Sequence, residues 1–168
     1  LFIFRGDKKF IVNSSTKIEK NDLIYMVVET QNLKDVLKEF GHKELQAQKI
    51  VIIGGGNIGF SLAELIEKDD NGISTELIEI DKERSQFLAS QLNSVTITNG
   101  DGLDNQILDE VNIAEAGYCI AVTEDDEVNV LASLLAKRAG TKQCMALINN
   151  SSYTSLLSNI GIDITIDP

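Results

Sequence analysis

The 168-residue chain has one proline, no tryptophan, two cysteines and one histidine, and each scarcity removes a class of protein. Cys119 and Cys144 sit in apolar surroundings without C-x-x-C spacing or a neighbouring histidine. That excludes a disulfide scaffold and a zinc site, and leaves two small buried strand residues in a reducing compartment. His42 follows Gly41 amid charged residues and reads as a surface side chain. No apolar run exceeds the six residues Leu23 to Val28, against the roughly 18 or more a membrane-crossing helix needs. No secretory signal is recognisable, so direct membrane insertion is not expected. Positive charge is scarce too: 15 Lys and Arg face 26 Asp and Glu, a net charge of −11. Nucleic-acid binding, which depends on cations at the phosphates, is not expected either.

What is present is a globular composition, 43% hydrophobic and 24% charged, enough to bury a core. The charge divides unevenly at Glu44: residues 1–44 carry +1 and residues 45–168 carry −12. The spacing predicts two modules. In the first, Leu1 to Phe4 and Phe10 to Val12 flank a polar turn, the pattern of a hairpin. A strand from Leu23 to Glu29 follows, and then a helix capped by Thr30 and ended by Gly41, with Leu33, Val36, Leu37 and Phe40 on one stripe. Its few apolar anchors cannot make an independent core. The chain opens without Met inside an apolar stretch, so it reads as a piece of something longer.

The second module alternates strand and helix. Strands are expected at Lys49–Ile53, Thr75–Ile80, Val95–Thr98, Tyr118–Thr123, Gln143–Ile148 and Ile162–Ile166. Helices are expected at Asn57–Asp69 (Ile58, Leu62, Leu65 and Ile66 inward), Lys82–Leu92 (Phe87, Leu88 and Leu92 inward) and Leu103–Val111. Two more follow at Asp125–Arg138 (Val128, Leu131, Leu134 and Leu135 inward) and Ser151–Ser158. Strands joined by helical crossovers make a parallel sheet covered on both faces, a Rossmann-like doubly wound α/β fold.

Directly after the first of these strands, Gly54-Gly55-Gly56-Asn57-Ile58-Gly59 is a G-x-G-x-x-G opening a helix. Gly54 permits a tight turn, Gly56 lets a pyrophosphate approach the backbone, and Gly59 lets the helix pack closely. The helix N-terminus supplies N–H groups and partial positive charge to an anion. Glu79, 20 positions after Gly59 at the end of the second strand, suits the two ribose hydroxyls of a dinucleotide and repels a 2′-phosphate, which favours NAD over NADP. Asp81 is the competing candidate. Asn99-Gly100-Asp101-Gly102 follows the third strand and is placed to reach adenine, or only to turn. Thr123 ends the fourth, near the topological switch point, where its hydroxyl and backbone suit a phosphate or the second ribose. The acids Glu124 to Glu127 fit a helix dipole, or a divalent cation. No nucleophile–histidine pair accompanies the motif, which favours a nucleotide acting as signal; a fragment of an NAD-dependent oxidoreductase is the alternative.

Lys49 to Gly59, Leu77 to Arg84, Gly100 to Gly102, Ala121 to Asn129 and Leu135 to Gly140 together resemble the RCK N-terminal domain, also called KTN, across residues 47–168. Residues 1–44 are similar to the end of an RCK C-terminal domain, a small α+β unit. The resemblance implies a cytoplasmic regulatory subunit, peripheral on the inner face of the membrane, that assembles as a dimer or ring. It would bind NAD(H) or ATP/ADP and gate an integral-membrane potassium transporter of the Trk type. It also implies site roles. Gly54, Gly56 and Gly59 would hold the phosphates, Glu79 the ribose, Asp101 the adenine region, and Thr123 with its following loop the distal end; Gly55, Asn57, Ile58, Asp81, Arg84, Gly100, Gly102 and Glu124 complete the candidate cofactor-binding set. Glu at 79 and Gly at 102 depart from the commoner Asp and Ala. The family's chain continues where Pro168 ends this one.

Overall fold

The computed structural model describes residues 2–6, 8–13, 15–20, 22–29, 32–41, 49–69, 72–150 and 162–166. Thr30, His42 and the helix expected over Ser151–Ser158 lie outside the described residues. The chain divides into two compact units, Leu1–Glu44 and Leu45–Pro168.

In the first unit, β1 (Phe2–Arg5) pairs antiparallel with β2 (Lys8–Ile11) and β3 (Leu23–Tyr25), giving the order β2-β1-β3. Gly6 makes the hairpin turn at φ +58°, and helix α1 (Leu33–Glu39) follows, with Gly41 at φ +75° just past its end. The expected strand through Glu29 stops at Tyr25: a strand persists only where a neighbour pairs with it, and β1 offers three partners. Ile3 is the one fully buried apolar side chain among the unit's described residues. Polar contacts supply the rest. Arg5 forks onto Asp22 at 2.7 and 2.8 Å, onto Glu19 and onto the Lys17 carbonyl at 2.9 Å. The Arg5 guanidinium and the Glu19 N–H hold the Asp22 carboxyl down at about 2.

The second unit is a six-stranded sheet of order β6-β5-β4-β7-β8-β9, parallel throughout. Its strands are β4 (Lys49–Ile53), β5 (Ser74–Glu79), β6 (Val95–Asn99), β7 (Tyr118–Ala121), β8 (Gln143–Leu147) and β9 (Ile164–Ile166). The connecting helices are α2 (Asn57–Lys68), α3 (Lys82–Gln91), α4 (Asn105–Glu110) and α5 (Asp126–Ala139). Alternate residues of β4 feed opposite faces. Ile50 and Ile52 pack with Ala63 of α2 and Leu88 of α3, while Val51 and Ile53 pack with Leu108 of α4 and Ala132 and Ala136 of α5. The chain runs outward from β4 through β5 to β6, then returns to β7 on the other side of β4. The crevice at the ends of β4 and β7 is the place where a doubly wound sheet binds its ligand.

The helix faces differ from expectation. On α2 the buried residues are Gly59 and Ala63, flanked by half-buried Leu62 and Ile66, while Ile58 and Leu65 are exposed. On α5 they are Asn129, Ala132, Ser133 and Ala136, and Leu131 is exposed. Small residues let both helices lie close to the sheet, so the large apolar side chains move to the flanks. On α3, Leu88 is buried, but Phe87 lies outside with the Arg84 guanidinium 4.9 Å from its ring centroid. Cys119 and Cys144 are free, buried and in register across β7 and β8. The hydrogen bond to Cys144, reinforced by burial, holds the Cys119 thiol well above its usual range. Among the described residues no helix is long and apolar enough to cross a membrane.

Candidate functional site

At the C-terminal end of β4 the chain must reverse into α2, and Gly54 does so at φ +105°, where an L side chain is strained. Its N–H stays on the sheet, bonded to the Ile78 carbonyl at 2.9 Å. Gly55 then sits in a crowded place. A Cβ there would fall on Leu88 Cδ1 and 2.8 Å from Glu79 Oε2. The same is true of Gly59, whose Cβ would strike the Gly54 carbonyl, whereas nothing lies within 4 Å of the Cβ position at Gly56. Gly54, Gly55 and Gly59 are thus required by the protein itself, and Gly56 leaves open backbone facing the crevice.

Helix termini decide what that crevice attracts. Asp81 caps α3 by accepting from Arg84 N at 2.7 Å, Asp104 caps α4 through Gln106 N at 2.8 Å, and Asp125 caps α5 through Val128 N at 2.9 Å. Helix α2 starts at Gly56 with no side-chain cap and no acid in its first turn. Its initial N–H groups are left without an intrahelical partner, an arrangement that favours an anion.

Glu79 is buried and fastened. Oε2 accepts from Gly55 N at 2.7 Å and Oε1 from Asp81 N at 2.8 Å. Each oxygen retains a lone pair for a ligand hydroxyl. Arg84 holds the same residue through its carbonyl, Nε donating to Gly55 O at 2.7 Å, with its guanidinium over Phe60 and Phe87. The glycine turn is therefore clamped at both polar atoms of Gly55. Asp101 accepts from Leu103 N at 2.9 Å and shapes the turn after β6.

A cleft of about 610 Å³ joins these parts, within the size range of small-ligand sites. Gly54, Gly56, Asn57, Glu79, Asp81 and Arg84 line one part of it; Gly100, Asp101, Gly102, Thr123 and Glu124 line the rest. Gly55 and Gly59 are buried behind the turn and Ile58 points outward, so these three shape the site without lining it. Asp81 gives Oδ1 to the α3 cap and is exposed, whereas Glu79 is buried and held by a backbone N–H on each oxygen. The acids after Thr123 have separate tasks: Asp125 caps α5, and Asp126 accepts from Asn149 N at 3.0 Å and Asn150 N at 2.9 Å. Among the described residues no group of three or more His, Cys, Asp or Glu is placed to hold a metal ion.

One residue given no role from the sequence proves central. Asn129, fully buried on α5, accepts from Thr123 N at 2.8 Å and donates to the carbonyls of Thr123 and Leu147 at 3.1 and 2.9 Å. Its signal was an amide at an inward helix position, where only a fully bonded polar group is tolerated.

With the geometry in place, comparison with known proteins decides the family. The TrkA-N domain family matches residues 50–168. The chain belongs to the TrkA-N family. Over 166 residues this TrkA-N chain is 37% identical to the Trk system potassium uptake protein TrkA of Azorhizobium caulinodans, covering 99% of the chain and 36% of that protein. The chain thus spans about a third of the length of the curated relatives it matches. Among solved structures it is similar to the GsuK RCK domain, with a TM-score of 0.66 at 19% identity over 99% of this chain and 35% of the other. It is also similar to the GsuK channel bound to NAD, with a TM-score of 0.63 at 15% identity over 80% of this chain and 28% of that one. These structural likenesses bear on the TrkA-N chain's fold: a parallel, Rossmann-like sheet with helices on both faces.

Proposed function

We propose that this chain is part of the cytoplasmic regulatory subunit of a potassium uptake system, and that it binds NAD(H) in the cleft at the ends of β4 and β7. The observation that carries the reading is the uncapped, acid-free N-terminus of α2 opening into that cleft beside the fixed carboxylate of Glu79. Phosphates would meet the orphan N–H groups at Gly56 and Asn57, and ribose hydroxyls the remaining lone pairs of Glu79. The kinship with TrkA proteins supports a role in potassium uptake, and GsuK, a channel solved with NAD, shares the fold.

The role is regulatory and not catalytic. Binding would change the shape of the unit, and that change would gate an integral-membrane transporter of the Trk type. The subunit would lie on the inner face of the membrane and assemble as a dimer or ring of copies. Residues 1–44 would be the end of a preceding RCK C-terminal lobe; the TrkA relative aligns through both units, covering 99% of the chain. ATP or ADP shares the adenosine and phosphate contacts and is the competing ligand.

Titration of the purified protein with NADH and NADPH tests this. NADH is expected to bind at micromolar concentration and NADPH at least about tenfold more weakly, because a 2′-phosphate would face Glu79. Equal affinities would remove the role given to Glu79, and binding of neither, nor of ADP, would remove the nucleotide reading.

A further inference from the structure

The end of the sheet away from the cleft holds the chain's two cysteines. Cys119 is the second residue of β7 and Cys144 the second of β8, and the two are in register. In-register neighbours on parallel strands point to the same face about 4.8 Å apart, inside the roughly 4.4–6.8 Å that a disulfide spans between Cα atoms. Both lie in the apolar layer with Ala132 and Ala136 of α5, and the thiols hydrogen bond to each other. A single buried cysteine is an inert apolar filler; two that touch form a dithiol. The two are not equivalent, because Cys144 sits beside a polar strap. Lys137 Nζ donates to the Lys142 carbonyl at 2.8 Å and to the Asp163 carboxylate at 2.7 and 2.9 Å, and Asp163 Oδ2 accepts the Cys144 N–H at 2.8 Å. The hydrogen bond from Cys119, and then the Lys137 ammonium, lower the Cys144 thiol from its ordinary value against burial and Asp163. The Lys137 and Asp163 side chains are 34% and 31% exposed, so the groups around Cys144 face water.

We propose that Cys119 and Cys144 are a peroxide-responsive dithiol that closes an intramolecular disulfide between β7 and β8, with Cys144 as the attacking thiol. The Cys144 thiolate attacks one oxygen of hydrogen peroxide; the O–O bond breaks, Cys144 becomes a sulfenic acid, and the departing hydroxide takes up a proton as water. The Cys119 sulfur then attacks the Cys144 sulfur, the S–O bond breaks, and the hydroxide leaves with the Cys119 proton as a second water. The two thiols together lose two hydrogens and two electrons, and one peroxide becomes two waters. Both sulfurs are buried, so peroxide reaches Cys144 when the Lys137–Asp163 strap opens, a local event short of unfolding. Strands about 4.8 Å apart must be drawn together to meet the mean Cβ separation of about 3.8 Å in disulfides, so the closed bond is strained and readily reduced by thiols. That suits a reversible modification and not a permanent staple. The site lies at the opposite end of the sheet from the cleft and stands whatever the cleft binds.

Treating the folded, purified protein with millimolar hydrogen peroxide, blocking residual thiols with iodoacetamide in denaturant and mapping the peptides by mass spectrometry tests the proposal. A peptide cross-linked between Cys119 and Cys144 is expected within one chain, two hydrogens lighter than its parts, while circular dichroism shows the fold retained. Dithiothreitol should return both thiols. In Cys119→Ala the resolving thiol is gone, and dimedone should trap a sulfenic acid on Cys144. In Cys144→Ala the remaining thiol is buried and should react at least about tenfold more slowly. The mapping of the unsubstituted chain needs no variant, so the test survives a variant that fails to fold. Thiols that stay free in the folded protein, or that cross-link only between chains or only after unfolding, overturn the dithiol and leave two inert core residues. Dimedone trapped on Cys119 ahead of Cys144 overturns the direction of attack.

Discussion

The two rims of the cleft are built alike and capped differently. Each is a crossing from a central parallel strand into a helix, β4 into α2 and β7 into α5, on neighbouring strands of one sheet. At the first the turn is glycine and no side chain caps the helix; at the second Asp125 caps it, Asp126 and Glu127 sit in its first turn, and Asn129 ties down the turn behind it. The same backbone geometry leaves helix N–H groups open or satisfied according to whether a side chain occupies the helix terminus. This is how an acidic unit would hold an anion at one place, as the proposed function requires. Hydrogen bonds and dipoles there act at about 3 Å, while the exposed carboxylates are screened beyond roughly 8 Å at physiological salt.

The comparison breaks most severely at Gly55. Gly55→Val would drive a side chain into Leu88 and Glu79, with an expected stability loss of about 1–3 kcal/mol from overpacking. NADH binding should disappear, because the turn that presents the donors moves. Denaturant unfolding and titration check both, and an unchanged affinity would show that the α2 rim is not the phosphate site.

Asp125→Ala would make the second rim resemble the first. Loss of the cap should cost about 1 kcal/mol and lower Tm by a few degrees. With Val128 N–H released and one negative charge removed, ATP affinity should rise relative to ADP affinity. An unchanged ratio would mean that capping does not distinguish the rims.

The smallest effect is expected at Asp126, which anchors the acidic rim to the segment after β8. The N–H groups of Asn149 and Asn150 hold its carboxyl below the ordinary value of 3.8. A carboxyl lowered on folding contributes stability above its unfolded value and loses it as pH falls through the folded one. The stability difference between the wild type and Asp126→Asn should therefore be constant from pH 7 to about 5 and shrink below about 4. A difference that grows on acidification would contradict this arrangement.

Much of the site was legible because it is local. Gly54 to Gly59 announce a turn and a helix start within six residues, and Glu79 follows at the spacing set by one β-α-β unit. That the strands run parallel follows from the helical crossovers between them. Illegible from the pattern were the inward faces of α2 and α5. There Gly59, Ala63, Ala132 and Ala136 approach the sheet, and the leucine periodicity points to the flanks. The role of Asn129 was not legible, because its four partner atoms are brought to it from the ends of two strands.

The sequence by itself determined most of the elements, the parallel sheet, the glycine turn and the sign of the charge, since each depends on short-range pattern or composition. Only the tertiary structure decided which polar groups remain available. Glu79 and Arg84 clamp Gly55 across 24 and 29 residues of chain, and Asn129 reaches Leu147 across 18. Hydrogen-bonding capacity is finite, so what a residue can offer a ligand depends on which distant partners have already taken it.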